Sequence, residues 1–342
     1  MSIYRATLAL RGPFDLRATL ISGAAFGWGR YNRRGRMLAY GEPDRDGWFS
    51  APTYGTVVRF RQIRPDRLEI ESLMDAVESP GLPHPLPLKE FARWYFRMDE
   101  KLPGIIRRIS RDARVAEAAE LLPGLRLLRV DPPECLLTFL FSPQNRVPNI
   151  ARILNRVCRT YGERVVTPWG AFYLVPDLSR LAGARASKLA SCGLRYGVPQ
   201  AKNLIRTCRR IADQPDFFSA CTAPVPYPAS HRRVLDVCVG AGPKVADCVC
   251  LLGLGHLEAV PVDVHVFNTT IRLYRRDLRG IRATDADHLT ARDYRRIGDF
   301  YRARFGGLAG YAQQYLFTAE RIRRGFLKLP NTSPNLSRSP TP

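Results

Sequence analysis

Residues 234–274 read VLDVCVGAGPKVADCVCLLGLGHLEAVPVDVHVFNTTIRLY, and the punctuation inside this stretch decides how the chain is built. Apolar residues at three- and four-residue steps predict a helix over 231–239. Gly240-Ala241-Gly242 then makes a tight turn. Pro243 opens a second predicted helix, 243–253, at the position where its missing N–H costs nothing. Two glycines let the backbone come close to a ligand, and the helix start that follows offers free N–H groups, a pairing suited to one backbone phosphate. An ordinary helix–helix turn has the same signature. Lys244 adds chemistry: a cation at a helix N-terminus opposes the dipole. The same opposition eases loss of its proton, and a neutral amine is a nucleophile. A solvated surface lysine is the competing reading. Cys248 lies four residues on, on the same helical face, whereas Val245, Val249 and Leu252 form the buried stripe. Asp263 precedes the helical run 264–275 and is placed to cap it.

Working outward, the helical period begins near residue 88. It predicts further helices over 88–98, 101–109, 113–120, 131–141, 148–162, 177–190, 198–213, 290–304 and 308–327. Before it, partial alternation over 5–10, 14–21, 36–40 and 56–62 predicts strands, separated by turn clusters such as Glu42-Pro43-Asp44-Arg45-Asp46-Gly47. A proline-rich link, PGLPHPLP over 80–87, joins the two regimes. The end of the chain is rich in Pro, Ser and Thr and reads as disordered. The expected class is therefore α+β: an antiparallel β-sheet domain followed by an all-helical one.

At 342 residues the chain has room for two domains of ~150 residues. It is 45% hydrophobic and 25% charged, a globular balance. Lys plus Arg number 53 against 31 for Asp plus Glu, giving +22. Such a charge favours a polyanion, whose neutralised phosphates release counterions, or an anionic membrane surface. No apolar stretch reaches the ~18 residues of a membrane span. Arg5, Arg11, Asp15 and Arg17 interrupt any signal-peptide core. The eight cysteines suggest no disulfide framework and read as reduced intracellular thiols. That places the chain in the nucleus of a eukaryote or the cytoplasm of a prokaryote.

The helix, VGAGPK (239–244), helix and PVDVH (261–265) together resemble the helix-hairpin-helix DNA glycosylase superfamily. Within it, KVADCVCL (244–251) and AVPVDVH (259–265) are similar to the 8-oxoguanine DNA glycosylase family. LLRVDPPECLLTFLFS (127–142), NIARI (149–153), LRYG (194–197) and FGGLAGYAQQYLF (305–317) match in order. ISGAAFGW (21–28) fits more loosely, and the likeness runs over about 8–325. It implies a TBP-like N-terminal domain over 1–125, a glycosylase domain over 126–328 and a tail over 329–342.

The resemblance also implies a bifunctional enzyme that removes 8-oxoguanine from damaged double-stranded DNA, works as a monomer without a cofactor, and nicks the abasic strand. Lys244 would attack C1′ and form a Schiff base. Asp263 would orient the lysine and stabilise positive charge at C1′. Cys248 and Phe317 would supply the two faces of the base pocket, with Pro261 beside them, and the Gln313 amide would read the base edge. On geometry alone Gln314 is a rival of Gln313, and Phe317 reads equally as core. The Gly23 carbonyl would accept the hydrogen that oxidation places on N7. Tyr196 would fill the space beside the flipped nucleotide, unless it is a core tyrosine. Asn149 and Arg152 would face the orphaned base, His265 a phosphate, and the amides around Gly240, Gly242 and Val245 the strand.

Two departures touch opposite-base reading: SPQNRVPN (142–149) replaces the family's asparagine run and brings in Asn145, and Gly197 stands where an arginine is usual. No cysteine follows Cys250, which excludes the C-terminal iron–sulfur loop of endonuclease III relatives, and Cys248-x-Cys250 lacks a second pair at zinc spacing. Two alternatives are a monofunctional alkyl-purine glycosylase, which lacks the lysine, and a non-catalytic DNA-binding module.

Overall fold

Alternation in the N-terminal part becomes a six-stranded antiparallel sheet. A computed structural model describes residues 2–281 and 289–329. The strands are β1 (Tyr4–Ala9), β2 (Gly29–Tyr31), β3 (Met37–Tyr40), β4 (Phe49–Thr53), β5 (Thr56–Arg64) and β6 (Arg67–Ser72). They lie in the order β1-β6-β5-β4-β2-β3, which leaves β3 at one edge. The strand expected over 14–21 is instead a short helix, α1 (Leu16–Leu20). Asp15 caps it by accepting from the Ala18 N–H at 2.8 Å. Phe14, Leu16 and Ala18 are buried while Asp15 and Arg17 are only partly so, an alternation that a strand would share with this single capped helical turn.

The proline-rich link ends in a small hairpin of β7 (Ala76–Val77) and β8 (Leu86–Pro87). Helices follow: α2 (Leu88–Tyr95), α3 (Leu102–Ile109), α4 (Ala113–Leu121), α5 (Pro132–Leu140) and α6 (Val147–Tyr161). A second hairpin, β9 (Arg164–Thr167) and β10 (Gly170–Tyr173), sits in the gap that the helical period left empty. Then come α7 (Leu178–Ala182), α8 (Ala186–Ala190), α9 (Gly197–Ala212), α10 (Tyr227–Val237), α11 (Pro243–Cys248), α12 (Val264–Tyr274), α13 (Ala291–Phe305) and α14 (Ala309–Arg323). The one helix expected over 177–190 is thus two, broken at Gly183. The helix expected over 243–253 changes to a π-helix over Val249–Gly253. The expected class, an antiparallel sheet and then helices, holds. The tail expected over 329–342 lies outside the described residues after Leu329.

Packing welds the two parts. Trp28, Phe60, Tyr95 and Phe96 form an aromatic cluster where α2 covers the sheet, with Trp28 Nε1 donating to the Tyr95 hydroxyl at 2.7 Å. One apolar core runs from this cluster into the helices. Along α14, the Tyr311 hydroxyl reaches Glu100 at 2.6 Å and the Tyr315 hydroxyl reaches the Leu125 carbonyl at 2.8 Å. Gly310 lets α14 press against the segment 251–259, because a Cβ there would fall 2.4 Å from Leu251 Cδ1 and 2.8 Å from the Leu257 carbonyl.

Candidate functional site

The turn between α10 and α11 is fixed from two sides. Gly240 has φ +82 and stands against Asn203, whose Nδ2 would lie 3.1 Å from an added Cβ. That conformation favours glycine over any side chain. The Val239 N–H donates to Thr207 Oγ1 of α9 at 2.8 Å. Behind the turn, the buried Asp247 carboxylate accepts from the Tyr227 hydroxyl at 2.5 Å and from the Tyr294 hydroxyl, tying α10, α11 and α13 together. Burial pushes the Asp247 carboxyl up. Gly242 caps α11 without a side chain and faces open space. Of the three amides expected at a phosphate, that of Val245 is already used, donating to the Gly242 carbonyl at 3.0 Å. The Gly240 and Gly242 amides have no hydrogen-bond partner among the described residues, whereas that of Ala241 donates to the Cys238 carbonyl at 3.1 Å.

Lys244 is half-buried at the start of α11. Its Nζ donates to Ser142 Oγ at 3.1 Å and stands 4.8 Å from the Phe139 ring centroid. Cys248 is buried one turn on. Burial pushes its thiol up to about 12, against the lowering pull of Lys244, so the sulfur is a neutral wall at neutral pH. Asp263 caps α12: its Oδ1 accepts from the Val266 N–H at 2.8 Å. Its other oxygen has no hydrogen-bond donor among the described residues. Both Lys244 and Asp263 act electrostatically on Cys248, which puts the three in one neighbourhood. Pro261 is buried two residues before Asp263.

The other residues expected in the base pocket lie on α14 and in residues 21–23. Phe317 is partly buried, packed against the core with part of its side chain open. A Cβ on Gly23 would lie 3.6 Å from Phe317 Cε1. Gln313 is buried, and its Oε1 has no hydrogen-bond partner among the described residues. Gln314 is committed elsewhere, donating to the Ser22 carbonyl at 3.1 Å. The two glutamines thus differ in occupancy: Gln313 keeps an open acceptor, and Gln314 holds backbone.

The remaining expected residues lie at the starts of α6, α9 and α12. Tyr196 is 46% exposed at the start of α9, which removes the core alternative. Gln200 steadies it, accepting from the Tyr196 N–H at 3.1 Å and donating to the Leu140 carbonyl at 2.9 Å. Asn149 Nδ2 donates to Asn145 Oδ1 at 2.6 Å, so the two asparagines act as one pair beside Ser142. Arg152 is exposed, with Nε on the Pro148 carbonyl at 3.3 Å. His265 is exposed, its ring 6.4 Å from that of Phe317 and 5.7 Å from that of Phe326. Three residues went unread in the sequence: Ser142 and Phe139, which hold the lysine, and Arg321, which underlies Phe317 at 5.4 Å. Phe139 and Ser142 stood inside a quoted motif. Arg321 carried no local signal.

Two family models match in tandem. One, 8-oxoguanine DNA glycosylase, N-terminal domain, matches residues 8–136. The other, HhH-GPD superfamily base excision DNA repair protein, matches residues 137–287. The chain is 30% identical over 212 residues to N-glycosylase/DNA lyase OGG1 of Arabidopsis thaliana, covering 61% of this chain and 56% of that one. It is 30% identical over 262 residues to N-glycosylase/DNA lyase of Saccharomyces cerevisiae, covering 68% and 66%. It therefore spans between 56% and 66% of the length of these two relatives. The solved Clostridium acetobutylicum 8-oxoguanine glycosylase/lyase, in complex with dsDNA containing cytosine opposite to 8-oxoG, shares the fold. Its TM-score is 0.74 at 24% identity, over 95% of this chain and 99% of that one.

Proposed function

Because the chain belongs to the 8-oxoguanine DNA glycosylase family, we propose that it excises 8-oxoguanine from damaged duplex DNA and nicks the resulting abasic strand. The observation that carries this reading is the setting of Lys244. Its amine is half-buried, directed by Ser142 Oγ at 3.1 Å and paired with no carboxylate among the described residues. An amine locked in an ion pair would be a poor nucleophile; this one is aimed but uncommitted.

In the proposed reaction the target nucleotide leaves the stack and enters the space between Cys248 and Phe317. The Lys244 amine, deprotonated, attacks C1′ as the bond to the base breaks. Asp263 offers negative charge where C1′ becomes cationic, while its cap bond holds it in place. Ring opening gives a Schiff base between Nζ and C1′. Loss of a C2′ proton then expels the 3′ phosphate by β-elimination. In the pocket, the free Gln313 Oε1 accepts from the base edge, and the Gly23 carbonyl accepts the N7 hydrogen that only the oxidised base carries. The Asn145–Asn149 pair, Arg152 and Tyr196 occupy the place of the orphaned base. Gly240, Gly242 and His265 receive the phosphates.

Borohydride reduction on lesion-bearing duplex tests the reading. The parent should yield a covalent protein–DNA adduct, and Lys244→Gln should yield none while still binding the duplex. An adduct from Lys244→Gln displaces Lys244 as the nucleophile. Excision without any adduct from the parent makes the chain monofunctional, and binding without excision makes it a non-catalytic module.

A further inference from the structure

Residues 21–23 are strapped to the end of α14 by a buried cation. Arg321 is 9% exposed and forms no ion pair among the described residues. Its Nη1 donates to the Ile21 carbonyl at 3.4 Å and to the Ser22 carbonyl at 3.3 Å. Gln314, two turns earlier on α14, adds Nε2 to the same Ser22 carbonyl at 3.1 Å. The guanidinium also lies 5.4 Å from the Phe317 ring centroid. A Cβ on Gly23 would sit 3.4 Å from Arg321 Nη1. One side chain thus touches both the segment that carries the Gly23 carbonyl and the aromatic ring opposite it.

Burying a guanidinium without a carboxylate partner is costly. Its burial lowers the Arg321 pKa, with Tyr40 and Asp263 opposing. Filling the space alone would not need a charge, since an unbranched apolar side chain would do it. The two carbonyls and the ring are what the planar fork serves. Gly23 itself has φ +93, a conformation with few steric constraints of its own, so its carbonyl direction depends on what holds its neighbours.

We propose that Arg321, assisted by Gln314, is a positioning residue for base discrimination. It fixes the Gly23 carbonyl and the Phe317 ring at the separation that an oxidised purine requires. This rests on the glycosylase reading above. A carbonyl free to swing would neither meet the N7 hydrogen of the lesion squarely nor repel the N7 lone pair of guanine.

The experiment compares two reactions on one set of variants: single-turnover excision of 8-oxoguanine, and nicking of a duplex that already holds an abasic site. The second substrate has no base and does not need the clamp. Arg321→Met should slow excision by about tenfold or more, because small misplacements at a reacting centre cost up to ~100-fold. Its nicking of the abasic duplex should stay within about twofold of the parent. Arg321→Lys keeps the charge but loses the fork and should behave like Arg321→Met. Gln314→Ala, which changes no charge, should show the same split in milder form. The lesion-to-plain binding ratio should fall in step with excision. Equal losses in both reactions, or full recovery with Arg321→Lys, overturn the clamp in favour of a structural or purely electrostatic role. A parent that excises, matched by Arg321→Met, overturns the clamp alone. A parent that excises nothing overturns the glycosylase reading and the clamp with it.

Discussion

Phe317 carries the Arg321 guanidinium 5.4 Å from its ring centroid, and in the proposed pocket its other face meets the base. Phe317→Ala should therefore slow excision of 8-oxoguanine strongly. The salt dependence of binding to undamaged duplex should not change, because phosphate contacts set that slope and base contacts do not. Single-turnover excision alongside salt-titrated binding checks both halves, and excision at the parental rate would return Phe317 to the core. The legibility of this site divides by distance along the chain. Lys244, Cys248 and Asp263 fall within one quoted stretch, where helix starts and face spacing give them away. Ser142 meets Lys244 across 102 residues, and Arg321 meets Ile21 across 300, so no local pattern announces either. Gln313 and Gln314 are neighbours with one spacing to Phe317. The Ser22 carbonyl, far off in sequence, gives Gln314 hydrogen bonding that Gln313 does not share.

The start of α5 holds two carboxyls in the core. Burial pushes Asp131 up to about 7, and burial with the nearby Asp131 charge pushes Glu134 up to about 8. In an unfolded chain both release their protons near ~4. Between about pH 4.5 and 8 the folded chain thus binds more protons than the unfolded one, and stability falls as pH rises through that window. Glu134→Gln removes one titration and still offers an oxygen to the Thr53 hydroxyl, which donates at 2.8 Å. Its melting temperature should decline less than the parent's between pH 5 and 8. An unchanged slope would show that Glu134 does not titrate there. Most helices were legible from period and caps, because each buries one face. Residues 14–21 were not, since burial alternates over 14–18 as it would in a strand and only the Asp15 cap marks the helical turn. Nor was the π-helix Val249–Gly253, whose apolar run fits α and π alike.

At the scale of the molecule, the excess of arginine gathers visibly in one place. A cleft of about 730 Å³ between β3, α6 and α8 is lined by Arg36, Arg152, Arg156 and Arg159, with no carboxylate in its wall. Its α6 side starts beside Ser142 and the asparagine pair, so it leads away from the candidate site. Each phosphate contact steepens the salt dependence of duplex binding by ~0.9 in the log–log slope. Arg36→Ala with Arg156→Ala should flatten that slope by about 1–2, equally for lesion and plain duplexes, and leave the ratio between them alone. A slope that stays put would take the cleft out of the DNA path.

The half-buried placement of Lys244 sets its chemistry apart from every other amine on a lysine in the chain. The remaining lysines, Lys89, Lys101, Lys188, Lys202 and Lys328, are all exposed. Acylating reagents that sample only the surface should label those five and spare Lys244, as peptide mass mapping would read out. An aldehyde delivered within an abasic duplex should reverse the order and mark Lys244 alone. The scarcity of lysine in so arginine-rich a chain thus makes the protein its own selectivity control for amine labelling.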